Sequence, residues 1–302
     1  MNSRKQKLID EIKGVEYFQD FPAENCTSFK IGGPLSFLAI PKSPEEIITL
    51  LKAAETADYP VYVIGNGTNL LISDKGADAL FIKTGSAMSG VSFDDDEAAL
   101  NADAGALLSA AAKESVKRGF MGLEWAAGIP GSIGGGAAMN AGAYGGEMKD
   151  VIRSITYVDV KKQEILTKNV EPGDFAYRYS AFTFPGRIVV KIKMQLEQDD
   201  GHAKERMDEF NEKRRSKQPL EYPSAGSTFK RPEGFFAGAL IENAGLKGIS
   251  IGGAQVSEKH AGFIINSGGA SFDDVYSLIN LVREKVYARF NVLLEPEVKI
   301  IK

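Results

Sequence analysis

Residues 128–147, GIPGSIGGGAAMNAGAYGGE, constrain the fold more than any other segment of the sequence. Eight of these twenty residues are glycine, and the single charged residue, Glu147, stands at the end. A flexible linker would alternate glycine with serine or charge, whereas this segment alternates it with Ile129, Ile133 and Met139, which favour burial. Two interpretations remain open. Bare backbone packs closely on backbone here, or its N–H groups approach an extended anionic ligand without side-chain collision.

The composition predicts an ordinary soluble globular protein with two or three structural units. The 302 residues exceed one compact core, and 43% of them are hydrophobic and 25% charged. A net charge of −4 argues against a nucleic-acid or membrane-surface binder, and no apolar run reaches the ~18 residues of a membrane span. The N-terminus lacks an apolar signal core; its Leu8, Ile9, Ile12 and Val15 instead fall on one helical face.

Cys26 is the only cysteine, which excludes an internal disulfide, a CxxC metal site and an iron–sulfur cluster. We therefore expect no metal centre and a location in the reducing cytoplasm. Cys26 itself is expected to be a small buried hydrophobic residue rather than a nucleophile.

Local patterns predict an α+β fold, without internal repeats or regular βα alternation. Ser43, Pro44 and Glu46 predict a helix that begins with a capping box. Further helices are predicted over residues 107–117, 199–218, 237–246 and 271–289. Hairpins are predicted at 91–105 and 152–167, an edge-like strand at 186–198, and a last strand at 292–301.

A second glycine turn, VIGNGTNLL at residues 63–71, follows a predicted strand and invites comparison with dinucleotide-binding fingerprints. Gly65 and Gly67 supply the first two glycines of such a fingerprint, but Leu70 occupies the third position, where glycine lets a helix pack on the strand. Leu70–Ile72 is predicted to be another strand, so the Rossmann interpretation fails. No Gly-Lys dipeptide exists, so a P-loop fails too. Two separate glycine turns remain, which together could hold both ends of a pyrophosphate.

Several motifs occur in the order found in UDP-N-acetylenolpyruvoylglucosamine reductases, a family that this sequence resembles. These motifs are GNGTNLL at 65–71, the segment 128–147, YRYS at 177–180, PSAGSTFK at 223–230 and LEPEV at 294–298. NCTSFKIGGP, LIENAGLKG and GGAQVSEKHAGFIIN extend the resemblance over nearly the whole chain. It implies an α+β, FAD-binding PCMH-type (vanillyl-alcohol oxidase-like) fold of the compact subtype, with FAD-binding subdomains at 1–83 and 84–215. A C-terminal α+β substrate-binding domain would follow at 216–302.

The resemblance implies non-covalent FAD as cofactor and NADPH as hydride donor. Neither glycine motif contains a histidine that could attach FAD covalently. Thr68 stands where relatives more often carry serine, so the hydroxyl is retained. The residues expected to contact the cofactor are Gly65, Asn66, Gly67, Thr68, Asn69, Leu70, Gly128, Ile129, Pro130, Gly131, Ser132, Ile133, Gly134, Gly135, Asn140 and Gly145.

The implied reaction reduces the enolpyruvyl ether of UDP-N-acetylglucosamine enolpyruvate to UDP-N-acetylmuramate, in peptidoglycan precursor synthesis. By resemblance, Arg178 holds the substrate carboxylate, Ser227 donates a proton and Glu297 is the second acid. The residues alone support another interpretation, in which Arg178 is a solvated arginine on a strand and Ser227 is a turn serine that caps its own backbone. Glu295, two residues before Glu297, is the alternative acid, which we interpret as structural or exposed.

The nucleotide-sugar substrate carries a diphosphate, and the basic runs KRRSKQP and FKRP surround the Ser227 turn. The resemblance selects Lys217 among these cations, while the rest of the run can equally be a solvated helix end. Arg231 stands where many relatives carry asparagine. The residues expected to contact the substrate are Tyr177, Lys217, Lys230, Arg231 and His260.

Two other functions remain possible at this level. One is an FAD-dependent oxidase of the same fold that oxidises an alcohol or sugar with O₂, in which Arg178, Ser227 and Glu297 would have no role. The other is a flavin-binding protein without turnover, which NADPH would fail to bleach. Beyond its small-molecule substrate, the protein is expected to bind neither nucleic acid nor membrane.

Overall fold

The computed structural model describes residues 3–12 and 14–302. Contacts divide the chain into two compact units. The first comprises Met1–Gln19, Phe37–Asn66 and Asp78–Glu212, and the second Asp20–Ser36, Gly67–Ala77 and Lys213–Lys302. The predicted division at 83/84 and 215/216 stays a prediction.

The helices agree with the predicted ones in place and add two short helices that no pattern indicated. The first addition, α4, is rich in glycine, which has low helix propensity, and the other, α5, is one turn long. Within residues 3–12 and 14–302, no helix is both long and apolar enough to cross a membrane. The helices are α1 (Ser3–Glu11), α2 (Pro44–Ala57), α3 (Leu108–Lys117), α4 (Ile133–Ala138), α5 (Met148–Val151), α6 (Ala203–Lys217), α7 (Ala237–Asn243) and α8 (Phe272–Phe290).

The strands alternate irregularly with these helices, as an α+β fold requires. They are β1 (Tyr17–Pro22), β2 (Pro34–Ala39), β3 (Val61–Ile64), β4 (Leu70–Ile72), β5 (Ala77–Lys83), β6 (Val91–Asp94), β7 (Ala99–Asp103), β8 (Phe120–Met121), β9 (Gly142–Ala143), β10 (Gly146–Glu147), β11 (Ile152–Asp159), β12 (Glu164–Asn169), β13 (Phe175–Ala176), β14 (Tyr179–Ser180), β15 (Arg187–Gln195), β16 (Glu197–Gln198), β17 (Ser250–Ile251), β18 (Ala254–Val256), β19 (Ile264–Asn266) and β20 (Lys299–Ile301). The predicted hairpins are confirmed as β6–β7 and β11–β12.

Helix α2 begins where the sequence predicts, with one difference in its cap. The Ser43 hydroxyl accepts a hydrogen bond from the Glu46 N–H at 3.3 Å, and Pro44 is the first helical residue. The Glu46 carboxylate accepts from the N–H of Lys42 at 2.8 Å, one residue before the position that a standard capping box uses. The first bond satisfies an N–H group that the helix leaves without a partner, and the second ties the residue before the N-cap to the first turn.

Strand β15 is the centre of a five-stranded sheet, so the prediction of an edge-like strand is wrong. The sheet order is β12-β11-β15-β7-β6, and β15 pairs antiparallel with both β11 and β7. Ile188, Ile192 and Met194 on β15 are at most 2% exposed, whereas Lys191 is exposed. Charged residues that alternate with apolar ones made this strand look like an edge strand. Alternation shows which face of a strand each side chain occupies, but not which strands lie beside it.

The rest of the first unit packs helices α1 and α2 near a sheet of order β1-β2-β5-β3. Leu8 and Ile12 are fully buried, Val15 is 7% exposed and Ile9 half-buried. The helix covers only Leu8 and Ile9 of the predicted face, because it ends at Glu11, and Ile12 and Val15 are buried beyond its end. They share a hydrophobic cluster with Ile47 and Leu50 of α2.

The second unit contains a short antiparallel sheet, β17-β18-β19, and the parallel pair β4–β20. The pairing of Leu70 with Lys299 confirms that Leu70–Ile72 is a strand. The last strand begins only at Lys299, and not at residue 292 as predicted, because Pro296 has no N–H to donate to a ladder. Cys26 is 5% exposed, which confirms that it is a buried small residue.

Candidate active site

A cleft of about 510 Å³ in the first unit lies where two predicted cofactor loops approach each other. Gly65 and Asn66 of one loop and Ser132 of the other line it, with Gly105 and Leu107 between them in sequence. The Asn66 amide donates a hydrogen bond to the Pro130 carbonyl at 2.6 Å. A Cβ at Gly65 would lie 2.3 Å from the Ser132 hydroxyl oxygen. Glycine at position 65 therefore keeps the two loops in contact beside an open cleft.

The glycine-rich segment itself packs closely on neighbouring backbone. The N–H of Ile133 donates to the Ala106 carbonyl and that of Gly134 to the Ala104 carbonyl, both at 2.8 Å. A Cβ at Gly134 would lie 2.6 Å from the Cβ of Ala104. The packing interpretation therefore holds at this residue, whereas contact of the segment with an anionic ligand stays a prediction. Gly134 is required for packing, and its N–H is already bonded within the protein.

Helix α4 begins at Ser132, whose hydroxyl accepts from the Gly135 N–H at 3.2 Å. The segment has no helical periodicity, but a serine before a run of small residues is an N-cap signal that could have found this helix. The Gly135 N–H is thereby also used within the protein. Contacts of residues 133–135 with FAD would have to use other atoms.

The second half of the GNGTN loop, from Gly67 onward, belongs to the second unit. Gly67 has φ +67°, and a Cβ there would lie 1.8 Å from the Cys26 carbonyl oxygen, so only glycine fits. The Asn69 amide donates to the backbone carbonyl of Glu297 at 3.0 Å, and the Lys299 N–H donates to the Asn69 carbonyl at 3.0 Å. This half of the predicted cofactor loop supports the segment that carries the predicted acid.

Ser227 and Glu297 are brought together by backbone pairing in the second unit. The Glu297 N–H donates to the Thr228 carbonyl at 2.8 Å, and Phe229 bridges Pro296 in an antiparallel fashion. Thr228 is buried and accepts from the Ile264 N–H through its hydroxyl, which leaves the neighbouring Ser227 exposed. The positive φ of Gly226, +74°, is the turn that the sequence predicted before Ser227.

The two candidate acids differ in their surroundings. Glu295 forms an ion pair with Lys230, and its side chain is 69% exposed. Glu297 is half-buried, and its backbone is fixed on both sides by Thr228 and Asn69. This arrangement favours Glu297 over Glu295 as the second acid and assigns Lys230 an internal partner.

Arg178 lies in the two-residue loop between β13 and β14 of the first unit. Its φ is +53°, and its half-buried guanidinium stands 5.1 Å from the ring centroid of the exposed Tyr177. The aromatic ring helps to hold the cation in place, and partial burial strengthens its field. Gly145 lies in a comparable position, at the turn between β9 and β10, where Tyr144 and Gly145 both have positive φ. Such turns require glycine independently of any ligand.

The remaining substrate candidates lie in the second unit. Lys217 is the exposed last residue of α6. The Arg231 guanidinium stands 3.9 Å from the ring centroid of Phe236. The Nδ1 atom of His260 accepts a hydrogen bond from the Gly262 N–H at 3.1 Å, so its proton is on Nε2. Burial lowers the pKa of His260, so at neutral pH the ring is uncharged and can donate through Nε2.

Among residues 3–12 and 14–302, no cluster of histidine, cysteine and carboxylate side chains is arranged to hold a metal ion.

Comparison with known proteins identifies the family. Residues 218–301 match the family model described as UDP-N-acetylenolpyruvoylglucosamine reductase, C-terminal domain, and residues 35–167 match an FAD binding domain. A protein named UDP-N-acetylenolpyruvoylglucosamine reductase from Caldanaerobacter subterraneus subsp. tengcongensis is 44% identical, over 97% of this chain and 98% of that protein. One from Clostridium botulinum is 46% identical, over 100% and 98%. This chain belongs to the UDP-N-acetylenolpyruvoylglucosamine reductase family.

Solved structures support the same fold. The crystal structure of the reductase from Thermus caldophilus superposes with a TM-score of 0.79 at 32% identity, over 95% of this chain and 99% of that one. A Phl p 4 variant described as a glucose oxidase superposes with a TM-score of 0.51 at 14% identity, over 65% and 44%, and shows the fold alone. The predicted α+β fold of PCMH type with a C-terminal reductase domain is confirmed.

The protein is an FAD-dependent oxidoreductase, so the prediction of FAD as cofactor is confirmed. Non-covalent attachment of FAD and NADPH as hydride donor stay predictions. The lining of the cleft in the first unit fits an extended anionic cofactor such as FAD, because Gly65, Gly85 and Gly105 let the backbone approach a ligand closely and Lys83 supplies a positive charge. Which residues contact which part of FAD stays a prediction.

We expect Gly65→Ala to weaken FAD binding about tenfold. The added methyl would lie 2.3 Å from the Ser132 hydroxyl oxygen, and it would displace this hydroxyl, which caps α4. Overpacking of this kind costs about 1–3 kcal/mol, and about 1.4 kcal/mol is a factor of ten in affinity. The measurement is the ratio of bound FAD to protein after dialysis. Gly186→Ala is the matched control, since the nearest atom to a Cβ there is 3.8 Å away. Equal FAD content in both variants would contradict the prediction.

Proposed function

We propose that this protein reduces the enolpyruvyl ether of UDP-N-acetylglucosamine enolpyruvate to the lactyl ether of UDP-N-acetylmuramate, with Arg178, Ser227 and Glu297 as catalytic residues. The observation that carries the proposal is the backbone pairing of the Ser227 segment with Glu297 in a chain of this reductase family. FAD, held by the cleft of the first unit, would supply the hydride-transfer chemistry between NADPH and the terminal carbon of the enolpyruvyl group.

Arg178 binds the carboxylate of the enolpyruvyl group in this proposal. Arrival of a hydride at the terminal carbon moves an electron pair to the adjacent carbon and into that carboxylate. A guanidinium is permanently charged and can hold a carboxylate through two parallel hydrogen bonds. It therefore stabilises the reacting group most strongly when negative charge accumulates there.

Ser227 delivers the proton to the carbon that carries the electron pair. A serine hydroxyl is a weak acid, but protonation of a strongly basic carbon depends on proximity more than on a low pKa. Ser227 is exposed, while Thr228 beside it is anchored by bonds to Gly262 and Ile264, so the hydroxyl is presented from a fixed backbone. Glu297 is the second acid, and Asn69 fixes its backbone.

Anaerobic mixing tests the proposal directly. Protein whose flavin has been bleached by NADPH is mixed with UDP-N-acetylglucosamine enolpyruvate, and the return of flavin absorbance is followed. Rapid return supports the reductase. Return with O₂ but not with the enolpyruvyl substrate would favour the oxidase alternative, and failure of NADPH to bleach the flavin would favour binding without turnover.

The proposed partner is the nucleotide-sugar substrate, with no role for nucleic acid or a membrane. A net charge of −4 supports this part of the proposal. The proposed location is the cytoplasm, which a chain with one buried cysteine tolerates.

We expect Lys217→Ala to weaken substrate binding tenfold to a hundredfold. Lys217 is the exposed end of α6, and the loss of a charge-assisted hydrogen bond to a diphosphate costs about 1.5–3 kcal/mol. The measurement is the substrate concentration that gives half-maximal flavin reoxidation. Lys204→Ala removes the same charge near the start of α6, where Lys204 pairs with Asp208, and serves as control. Equal substrate affinities of the two variants would mean that Lys217 does not bind the diphosphate and is an ordinary solvated surface residue.

A further inference from the structure

The hairpin that carries Arg178 is too short to hold its own shape. Strands β13 and β14 pair through two residues each, Phe175 with Ser180 and Ala176 with Tyr179, and one flanking bond joins the Ala181 N–H to the Asp174 carbonyl. Isolated two-stranded hairpins are at best marginally stable in water, even when they are longer. Arg178 also has φ +53°, a conformation that residues with a side chain rarely adopt. Something outside the hairpin must therefore hold the Arg178 backbone.

Asn140, in the glycine-rich segment, supplies that support. It is fully buried, and its amide nitrogen donates to the Ala176 carbonyl at 3.0 Å and to the Glu147 carboxylate at 2.9 Å. Its side-chain oxygen accepts from the Lys149 N–H at 3.0 Å. Both amide hydrogens are thus used within the protein. Asn140 thus ties its loop to the hairpin, two residues before Arg178, and its predicted contact with FAD stays a prediction.

The same cluster places a negative charge near Arg178. Burial acts to raise the pKa of Glu147, but the bonds from Lys149 and Asn140 and the charge of Arg178 outweigh it, so that the pKa of Glu147 is lowered. The Lys149 ammonium lies 2.8 Å from the Glu147 carboxylate. Glu147 is therefore anionic and attracts the Arg178 guanidinium.

We propose that Asn140 is a positioning residue for Arg178, through its bonds to Ala176 and Glu147. Asn140 holds the hairpin so that the guanidinium meets the substrate carboxylate in one fixed geometry. This inference rests on the proposed role of Arg178. Misplacement of a reacting group by about 1 Å can cost on the order of a hundredfold in rate.

A double-mutant cycle tests the proposal. The rate of flavin reoxidation by UDP-N-acetylglucosamine enolpyruvate, per bound FAD, is measured in anaerobic stopped flow for Asn140→Ala, Arg178→Ala and the pair. Asn140→Ala is expected to slow reoxidation about tenfold to a hundredfold when Arg178 is present. In the Arg178→Ala background it is expected to add about threefold or less, because residues that act through one another are not additive.

Asn266→Ala is the matched control. Asn266 is 8% exposed and also bonds three backbone groups, donating to the Phe29 carbonyl and accepting from the N–H groups of Gly268 and Ala270. Its loss should destabilise the protein to a similar extent. Any effect of Asn266→Ala on reoxidation is expected to be the same with and without the Arg178 guanidinium.

A second comparison separates positioning from general stability. Asn140→Asp places a carboxylate beside the carboxylate of Glu147. Adding Glu147→Gln provides an amide that can donate a hydrogen bond to the new carboxylate at position 140. The thermal midpoint is then expected to recover in part, while reoxidation stays slow because the bond to the Ala176 carbonyl is still missing. Recovery of stability and rate together would overturn the proposal.

Equal slowing by Asn140→Ala with and without the Arg178 guanidinium would also overturn it, and would leave the proposed function intact. Reoxidation of the Arg178→Ala single variant at the wild-type rate would overturn both this inference and the proposed role of Arg178.

Discussion

Ser227→Ala is expected to slow flavin reoxidation by the enolpyruvyl substrate by about 10²–10⁴-fold, the usual cost of losing a general acid. The substitution removes one hydroxyl from an exposed residue, so folding and FAD content should survive. Bleaching of the flavin by NADPH should persist as well, because that half-reaction requires no proton at the substrate carbon. The measurement is the rate of each half-reaction in anaerobic stopped flow.

Two further variants sharpen this test. Ser227→Cys is expected to recover part of the rate, since a thiol can also donate a proton. Ser250→Ala removes another exposed serine hydroxyl from the second unit, one that bonds only its neighbour Gly248, at 3.3 Å, in the part of the chain that the structure describes. This variant should reoxidise as wild type. Reoxidation of Ser227→Ala at the wild-type rate would mean that the donor is water or another acid, such as Glu297.

Arg178→Ala is expected to slow the same half-reaction by about 10²–10³-fold, the range found when one group that stabilises developing negative charge is removed. The loss should persist at saturating substrate, because the guanidinium interacts most strongly with the charge that accumulates during the reaction. Arg178→Lys is expected to be intermediate, since an ammonium cannot bind a carboxylate in the planar, two-bond geometry.

Arg153→Ala is the control for this charge change. Arg153 lies on β11 of the same unit, is exposed, and contacts only nearby backbone carbonyls at 3.5 Å among the described residues. Its loss should leave reoxidation unchanged. An Arg178→Ala variant whose only defect is weaker substrate binding, with an unchanged rate at saturation, would contradict the proposed stabilisation of the reacting group.

Local signals in the sequence predicted the elements whose stabilising contacts lie within a few residues. The helix predicted over residues 271–289 begins at Phe272, after a Ser271–Asp274 capping box with both of its bonds formed. The alternation on either side of the acidic tip at residues 95–98 predicted the β6–β7 hairpin, which needs only adjacent strands. Leu70 at the third glycine position excluded a Rossmann helix, and β4 follows there.

The candidate site could be predicted only as a set of motifs. The family resemblance named Ser227 and Glu297, but nothing in their spacing along the chain shows that the Glu297 N–H bonds the Thr228 carbonyl. The bond from Asn69 to the Glu297 carbonyl joins residues 228 positions apart. A sequence pattern records which side chains share a face or a turn, and such long-range pairs leave no periodic signal.

The sequence by itself determined the places of α2, α3 and α8, the hairpins, the absence of a Rossmann or P-loop site and the family to which the chain belongs, because each rests on local chemistry or on an ordered set of motifs. Only the tertiary structure decided that β15 is central, since its partners β7 and β11 supply lateral hydrogen bonds that its own alternation cannot encode. Only the tertiary structure decided, too, that Asn140 bonds Ala176, because a buried amide must find acceptors wherever the folded chain brings them.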